Sequence, residues 1–236
     1  MQDPKVAVIM PTLNEAEAIG PTIAEIPRRH VHRIIVADGG STDATAERAR
    51  AEGAEVILPG RGFGRACHAG ALHAGDCAIV LFMDGDGADD PAAIPALVGP
   101  IQRGEADFVI ASRATGTREA GSMSWHQLIA GRVAGLMLRL LYGARFTDMC
   151  TFRAIRRDLL LALDMQEMTY GWNIEMQVKI AKLGLRVVEL PVPYRVRRAG
   201  VSKVAGNLGS SIRVGWRIVA TFARVASRPV KPVQAR

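Results

Sequence analysis

Five short apolar segments alternate with helical patterns in the first half of the chain, and this alternation limits the fold more than any other feature. The patterns between the segments predict helices over 15–28, 42–52, 65–75 and 91–103. Each segment is too uniformly apolar to be half-exposed, which predicts strands that are buried on both faces. The sequence therefore predicts βαβ units and an α/β fold, with a mostly parallel sheet and helices on both faces. The five segments are KVAVIM (5–10), RIIVAD (33–38), AEVILP (54–59), AIVLFMD (78–84) and ADFVIASR (106–113).

The second half of the chain contains longer elements. Apolar residues at helical spacing predict one helix over 125–142 and another over 171–185. Residues 186–197 predict a strand that bends or lies at a sheet edge, because two prolines within it cannot donate ladder hydrogen bonds. A last helix is predicted over 208–226.

An acidic stretch, DGDGADD, directly follows the fourth predicted strand. Carboxylates this close together repel one another unless they are solvated, hydrogen-bonded or bound to a cation. Asp84 and Asp86 can point at one ion if the backbone turns, and Gly85 and Gly87 permit that turn. A hard cation such as Mg²⁺ or Mn²⁺ takes few protein carboxylates and completes its shell with substrate phosphates and water. The stretch therefore predicts a divalent metal site at Asp84 and Asp86.

The same stretch has a second interpretation as a solvated acidic loop. Asp89 or Asp90 can cap the helix that begins at Pro91. We predict this capping role for one of the two residues and keep Asp84 and Asp86 for the metal.

A second polar segment, DGGSTD, follows the second predicted strand. Helix capping accounts for most of it, with Ser41 or Thr42 as the N-cap and Asp43 in the first turn. Asp38 is left over, and a carboxylate at a strand end can hydrogen-bond a base or a ribose. Ligands of open parallel sheets bind at the carboxyl ends of the strands, so Asp38 and the acidic stretch are expected at one edge of the sheet.

The chain is basic, with a net charge of +7 at pH 7. This charge favours a polyanionic partner such as nucleic acid, a phosphorylated ligand or an anionic membrane surface. Nucleic acid is disfavoured, because aromatic residues make up only 5% of the chain and do not alternate with a basic segment. The cations of YRVRRAGVSK (194–203) suit a diphosphate clamp as well as a solvated surface. Three cysteines without paired spacing predict free thiols in a reducing compartment, and neither a leader nor a membrane span is expected.

Taken together, six motifs in this order resemble family 2 glycosyltransferases with the GT-A fold. The similarity is greatest to the polyprenyl-phosphate (dolichol-phosphate) mannosyl- and glucosyltransferases, and it covers nearly the whole chain. The motifs are PTLNE (11–15), DGGSTD (38–43), MDGDGADDP (83–91), ASR (111–113), TDMCTFRAIRRD (147–158) and YRVRRAGVSK (194–203).

The resemblance implies roles for individual residues. Asp84 and Asp86 would bind the metal, with Gly85 between them at the donor. Arg113 would face the sugar and the acceptor phosphate, and Asp148 would complete the catalytic group. The residues expected to line the nucleotide pocket are Pro11, Leu13, Glu15 and Asp38, and those expected to hold the donor diphosphate are Arg197 and Lys203.

Some positions depart from the family pattern. Leu13 stands where the family often has tyrosine, and Ala88 stands where a further metal-side amide is common. His126 and Ala130 replace a basic residue and a serine of the acceptor-facing helix, and DMCTFR lacks a usual glycine. The departures leave the nucleotide residues intact and fall mainly on the acceptor side.

The reaction implied is an inverting, metal-dependent transfer of a hexose from a GDP-mannose or UDP-glucose type donor to a polyprenyl or dolichyl phosphate. A lipid phosphate is already ionised at neutral pH and needs no general base. An alcohol acceptor would need one, for which Asp148 and Glu175 are candidates. Both have structural alternatives, a strand-end turn for Asp148 and an ion pair with Lys179 for Glu175. Nucleotidyl transfer and a non-catalytic binding protein are the remaining alternatives.

The resemblance also divides the chain. A GT-A domain is expected over 1–205, with a nucleotide-binding half to about 113 and an acceptor-side half over 114–205, followed by a basic amphipathic helix and tail over 206–236. An apolar stripe lies beside Arg213, Arg217 and Arg224 in that helix, which is typical of a helix on an anionic membrane surface. Packing on its own domain is the alternative. We expect a cytoplasmic protein, peripheral on the cytoplasmic face of the membrane, whose oligomeric state stays open.

Overall fold

A computed structural model describes residues 4–199 and 208–233. Seven strands form one sheet in the order β3-β2-β1-β4-β6-β5-β7, with helices around it. All neighbouring pairs are parallel except those that involve β6, which is antiparallel to both β4 and β5. The strands are β1 (Val6–Thr12), β2 (Arg33–Asp38), β3 (Glu55–Ile57), β4 (Ile79–Phe82), β5 (Phe108–Ser112), β6 (Arg153–Arg156) and β7 (Val187–Pro191).

Eight helices surround the sheet in the described part of the chain. Seven of these eight were predicted from the sequence, with ends that differ by a few residues at most sites, and the short helix over Arg157–Ala162 was not. A short 3-10 turn over Pro91–Ala93 precedes the fourth of them, and another covers Arg28–His30. The helices are α1 (Ala16–Ala24), α2 (Thr45–Ala51), α3 (Phe63–His73), α4 (Ile94–Gln102), α5 (Trp125–Tyr142), α6 (Arg157–Ala162), α7 (Trp172–Lys182) and α8 (Leu208–Ser227).

The five apolar segments form β1 to β5, as predicted, but the predicted burial of β3 is wrong: this strand lies at the edge of the sheet, with Glu55 exposed and Val56 and Ile57 partly exposed. Every residue of β4 and β5 is buried, in accord with strands covered on both faces. Residues 187–191 form β7 at the edge of the sheet beside β5, and the predicted edge strand is therefore confirmed. The carboxyl ends of β1, β2 and β4 lie together, since Thr12 is in register with Asp38 and Ile9 with Phe82.

The sequence did not predict β6, which lies between β4 and β5. The arginines of β6 depart from the apolar pattern that is expected of a central strand. Arg153 is nevertheless fully buried, and its Nε donates to the carbonyl of Cys150 at 2.8 Å. The guanidinium also lies 5.8 Å from the ring centroid of Phe108, and burial lowers the pKa of Arg153 to about 10. The sheet is therefore mostly parallel with one antiparallel strand inserted.

The last helix, α8, packs against α7. Phe222 and Val225 of α8 are buried, and Lys182 at the end of α7 donates to the carbonyl of Ala226 at 2.8 Å. Arg217 and Arg224 form ion pairs with Glu167, at 3.2 and 3.0 Å. This arrangement matches the alternative in which the helix packs on its own domain. The side chain of Arg213 lies outside the described residues.

No helix within residues 4–199 and 208–233 combines the length and the apolar content that a transmembrane crossing requires.

Candidate active site

The acidic stretch forms a tight turn directly after β4. The backbone N–H of Asp84 donates to Oδ2 of Asp89 at 3.0 Å, and the N–H of Ala88 donates to Oδ1 of Asp86 at 3.0 Å. Gly87 has a φ of +79°, a conformation that favours glycine. A Cβ atom at Gly85 would lie 2.6 Å from Cγ2 of Thr12. The turn is thus held against β1 and closed by its own side chains.

Asp90 caps the 3-10 turn that follows, because its Oδ1 accepts from the N–H of Ala92 at 3.1 Å. This confirms the cap predicted for one of the two residues. Asp89 is instead buried beneath the turn, where its carboxylate supports the backbone of Asp84.

The carboxylates of the turn repel one another in a buried setting. Burial, and next the neighbouring charge of Asp86, raises the pKa of Asp84 to about 7. Burial and the charge of Asp84 raise the pKa of Asp89 well above its usual range. Hard oxygen ligands that are desolvated and crowded in this way suit a Mg²⁺ or Mn²⁺ ion. No group of three or more His, Cys, Asp or Glu side chains suited to a metal occurs among the described residues, so protein carboxylates alone would leave the shell incomplete.

A basic segment, residues 195–198, lies on the acidic turn. The backbone N–H of Arg195 donates to the carbonyl of Ala88, and that of Arg198 donates to the carbonyl of Asp86, each at 2.9 Å. Nη2 of Arg197 lies 2.5 Å from Oδ2 of Asp86. The buried Nη1 of Arg197 has no hydrogen-bond partner among the residues that the structure describes. This nitrogen can therefore donate to an anion placed next to the turn.

Glu25, just beyond the end of α1, holds the other two arginines of the segment. Its carboxylate pairs with Arg195 at 2.8 Å and also with Arg198. Arg195 makes a second ion pair with Asp90 at 2.9 Å. Glu25 could not be predicted from the sequence, because its partners lie 170 and 173 positions away. Lys203, predicted to act with Arg197, lies outside the described residues.

Arg113 follows β5 and is clamped by Asp148. Nε and Nη2 of Arg113 donate to the two carboxylate oxygens at 2.8 Å each, and the backbone N–H of Arg113 donates to Oδ2 at 2.9 Å. The guanidinium lies 5.0 Å from the ring centroid of Tyr194. Burial acts to raise the pKa of Asp148, but the charge and hydrogen bonds of Arg113 outweigh it, so the pKa is lowered. Asp148 therefore stays ionised as the counter-ion of Arg113.

Glu189 of β7 supports this clamp, a role that the sequence analysis did not predict. Its carboxylate accepts from the backbone N–H groups of Thr147 and Asp148, at 2.9 and 3.2 Å, and from the Thr147 hydroxyl at 2.9 Å. The side chain sits at an edge strand beside β5, where Ile110 is its register partner. Only the sheet order, which the sequence did not specify, brings Glu189 to Asp148.

The residues predicted to line the nucleotide pocket lie at the ends of β1 and β2. Asp38 is buried, and its carboxylate accepts from the N–H of Ser41 at 3.2 Å. The N–H of Glu15 donates to the hydroxyl of Thr45 at 2.8 Å. Leu13 approaches within 3.9 Å of the position that a Cβ atom on Gly39 would occupy. Pro11 is in register with Ala37, one residue before Asp38. The structure therefore brings Pro11, Leu13, Glu15 and Asp38 to one edge of the sheet.

The predicted cap of the second helix is wrong. α2 begins at Thr45 with Ala44 as its N-cap, three residues later than expected. Asp43 instead accepts from the N–H of Thr45 at 3.1 Å and from the N–H of Ala16 at 3.2 Å. Asp43 thus ties together the starts of α1 and α2, beside the predicted nucleotide pocket.

The carboxylate of Glu175 is buried and already held by neighbouring groups. Its carboxylate pairs with Lys179 at 2.8 Å and accepts from the backbone N–H groups of Gln166 and Glu167, at 3.0 and 2.6 Å. The ion pair that was its structural alternative is therefore present.

The sequence model of the family described as Glycosyl transferase family 2 matches residues 7–163, more than half of the chain. The chain belongs to glycosyl transferase family 2. It is therefore a glycosyltransferase, and the matched residues include the acidic turn, Arg113 and Asp148. The basic segment and α8 lie beyond the match.

Curated relatives match most of the chain. An uncharacterized glycosyltransferase of Mycobacterium tuberculosis is 37% identical over 210 residues, which cover 88% of this chain and 93% of the relative. Dolichyl-phosphate hexose transferase of Haloferax volcanii is 36% identical over 218 residues, covering 90% and 92%. Undecaprenyl-phosphate mannosyltransferase of Micrococcus luteus is 29% identical over 245 residues, covering 95% and 98%. These names confirm the resemblance to the polyprenyl-phosphate group.

Solved structures confirm the GT-A fold. Glucosyl-3-phosphoglycerate synthase from Mycobacterium tuberculosis, in complex with Mn²⁺, UDP-glucose and phosphoglyceric acid, matches with a TM-score of 0.77 and 26% identity over 96% of this chain and 81% of that one. The same enzyme with Mg²⁺ and UDP matches with a TM-score of 0.77 over 96% and 80%.

Proposed function

We propose that this glycosyltransferase is metal-dependent and inverting, and that it moves a hexose from a GDP- or UDP-sugar to a polyprenyl phosphate. The observation that carries the proposal is the contact of the Arg197 guanidinium with the carboxylate of Asp86, at 2.5 Å, in the turn that also contains Asp84. Acids and bases in this arrangement suit a ligand that is itself a metal-bound diphosphate.

On the donor side, Asp84 and Asp86 would hold Mg²⁺ or Mn²⁺. The ion would neutralise charge that develops on the leaving diphosphate, an effect worth several kcal/mol in such sites. Nη1 of Arg197, buried and without a partner in the described chain, would donate to the diphosphate. Lys203 would add a further cation. Pro11, Leu13, Glu15 and Asp38 would line the nucleotide pocket at the neighbouring strand ends.

On the acceptor side, Arg113 would face the sugar and the acceptor phosphate. Asp148 holds both arms of that guanidinium, and Glu175 is engaged by Lys179 and two backbone N–H groups. Both candidate bases are therefore committed elsewhere, which favours an acceptor that is already ionised. A phosphate monoester, with a second pKa of about 6, meets that condition at neutral pH. The names of the Haloferax and Micrococcus relatives support the same choice.

A soluble acceptor is the second candidate. The solved structure with UDP-glucose also holds phosphoglyceric acid, a small phosphorylated molecule. For either acceptor the enzyme would work in the cytoplasm, and for a lipid acceptor at the cytoplasmic membrane surface.

Product analysis tests the proposal. The protein is incubated with GDP-mannose or UDP-glucose, Mn²⁺ and a short-chain polyprenyl phosphate, with phosphoglyceric acid as the competing acceptor. The proposal expects a β-linked polyprenyl-phosphate sugar from an α-linked donor, together with nucleoside diphosphate, and loss of both when Asp84 and Asp86 are changed to Asn. Release of pyrophosphate would show nucleotidyl transfer instead. Sugar transfer to phosphoglyceric acid alone would overturn the lipid acceptor.

A further inference from the structure

Helix α5 leaves a broad apolar face uncovered. Seven large apolar side chains on it are 39–75% exposed, and at 100° per residue they fall within about 160° of the helix circumference. A single exposed leucine needs no explanation, but seven large apolar side chains exposed on one side of a helix do. The side chains are Trp125, Ile129, Val133, Leu136, Met137, Leu140 and Leu141.

The opposite side of α5 fixes the helix to the candidate active site. Ala134 and Leu138 are buried there. A Cβ atom at Gly131 would lie 3.3 Å from the carbonyl oxygen of Thr147 and 3.6 Å from Cα of Asp148. Asp148 in turn clamps Arg113. The exposed face therefore has a set position relative to the residues proposed to meet the acceptor.

The charges near this face select its partner. No acidic residue occurs from 120 to 147, whereas Arg132, Arg139 and Arg145 lie in that stretch and are exposed. An apolar face flanked by arginines on a helix without acids complements an anionic lipid surface. A second copy fits less well, because a two-fold interface along α5 would bring the same arginines of both copies together.

We propose that α5 lies in the plane of an anionic bilayer with this face inserted at the headgroup boundary. The face would hold the site at the height of lipid headgroups, where a membrane-embedded phosphate can reach Arg113. The second part of this inference rests on the proposed acceptor, whereas the docking itself does not.

Another exposed apolar pair, Trp216 and Val219 on α8, offers a matched control. These side chains are 73% and 58% exposed, as exposed as those of α5. Neighbouring Arg217 and Arg224 are already paired with Glu167, so less positive charge remains for lipid. Changes on α8 are therefore expected to affect lipid binding less than changes on α5.

Vesicle flotation tests the docking. Wild type, the α5 double variant Leu136→Glu with Leu140→Glu, and the α8 double variant Trp216→Glu with Val219→Glu, which adds the same charge, are mixed with phosphatidylcholine vesicles, with and without phosphatidylglycerol. We expect wild type and the α8 variant to float with the anionic vesicles, and the α5 variant to lose at least about tenfold in partition. Equal partition of the α5 variant and wild type would overturn the proposal. So would failure of wild type to bind, or a wild-type dimer in sedimentation velocity that the α5 variant loses.

Two readouts separate docking from folding and from the proposed acceptor. The α5 variant is expected to keep its thermal midpoint and its Mn²⁺-dependent binding of nucleoside diphosphate, because both side chains are more than half exposed. It is also expected to keep transfer to a water-soluble short-chain phosphate while losing transfer to a vesicle-embedded one. Wild type that floats but transfers to neither acceptor would refute the polyprenyl phosphate and leave the docking intact. Equal loss of both transfers would place α5 in the site and overturn its role as a docking surface.

Discussion

At the scale of single residues, two buried charges of the site are paired with an opposite charge. Asp148 clamps Arg113, and Arg197 meets Asp86. The carboxylate pair of Asp84 and Asp86 could be predicted because it follows a buried strand and is separated by a single glycine. The support from Glu189 could not be predicted, because this residue lies 41 positions beyond Asp148 and only the pairing of β7 with β5 brings it close.

Replacing Asp148 with Asn is expected to destabilise the protein by about 3–5 kcal/mol, because it leaves the buried guanidinium of Arg113 without a charged partner. Urea unfolding at neutral pH measures the loss. The matched control is Asp158→Asn, since that carboxylate is 65% exposed and pairs with Arg156, and it should cost no more than about 1 kcal/mol. Similar losses in the two variants would contradict the burial argument.

Glu175→Gln separates a structural role from a catalytic one. The variant weakens the ion pair with Lys179 and one of the hydrogen bonds from the 166–167 backbone, so we expect a loss of about 1–3 kcal/mol in unfolding free energy. Turnover per folded molecule should stay unchanged. Unchanged stability together with a collapse in turnover would instead make Glu175 the general base of an alcohol acceptor.

At the scale of elements, apolar runs predicted the parallel strands. They did not predict β6, because two of its four residues are arginines. Its position between β4 and β5 depends on the buried contacts of Arg153, which no local pattern records. The helices were predicted well because periodicity is a local property, whereas the start of α2 moved because Asp43 bonds to α1.

The turn after β4 depends on the absence of a side chain at Gly85. A methyl group there would lie 2.6 Å from Cγ2 of Thr12 and 3.1 Å from Cδ1 of Ile19. Gly85→Ala should therefore cost about 1–3 kcal/mol and weaken Mn²⁺-dependent nucleotide binding by displacing Asp84 and Asp86. The control is Gly215→Ala in α8, where nothing lies within 4 Å, and it should be neutral or stabilising by up to about 1 kcal/mol. Calorimetry and thermal unfolding report both effects, and a neutral Gly85→Ala would refute the close fit.

Asp107, just before β5, links that strand to the segment that enters β7 and gives a pH test. Its carboxylate accepts from the N–H and the guanidinium of Arg186, at 3.0 and 2.9 Å, and these hydrogen bonds lower its pKa. A lowered pKa contributes stability that is present above the unfolded value of about 4 and is lost as pH falls through the folded value. Asp107→Asn should therefore lose about 1–2 kcal/mol at pH 7, because Arg186 is half exposed, and the difference from wild type should shrink in acid. A difference that is independent of pH would contradict the ion pair.

At the scale of the whole molecule, the order of motifs along the chain predicted the family and the fold. It did not predict which helix carries the uncovered apolar face. Periodicity gave α5 and α8 similar apolar stripes, and only the structure shows that α8 buries Phe222 and Val225 while α5 leaves Leu136 and Leu140 exposed. Burial of a helix face depends on which elements pack against it, and the sequence pattern of one helix does not identify those elements.

In the proposed site, Asp84 and Asp86 hold a divalent cation that bridges the protein to a diphosphate. Isothermal titration calorimetry of UDP and GDP, with and without Mn²⁺, tests it on wild type and on the variant with both residues changed to Asn. We expect one nucleotide to bind wild type only with Mn²⁺, and the double variant to lose at least about tenfold in affinity, or about 1.4 kcal/mol, while remaining folded. Nucleotide binding that needs no metal, or that survives unchanged in the double variant, would contradict the account.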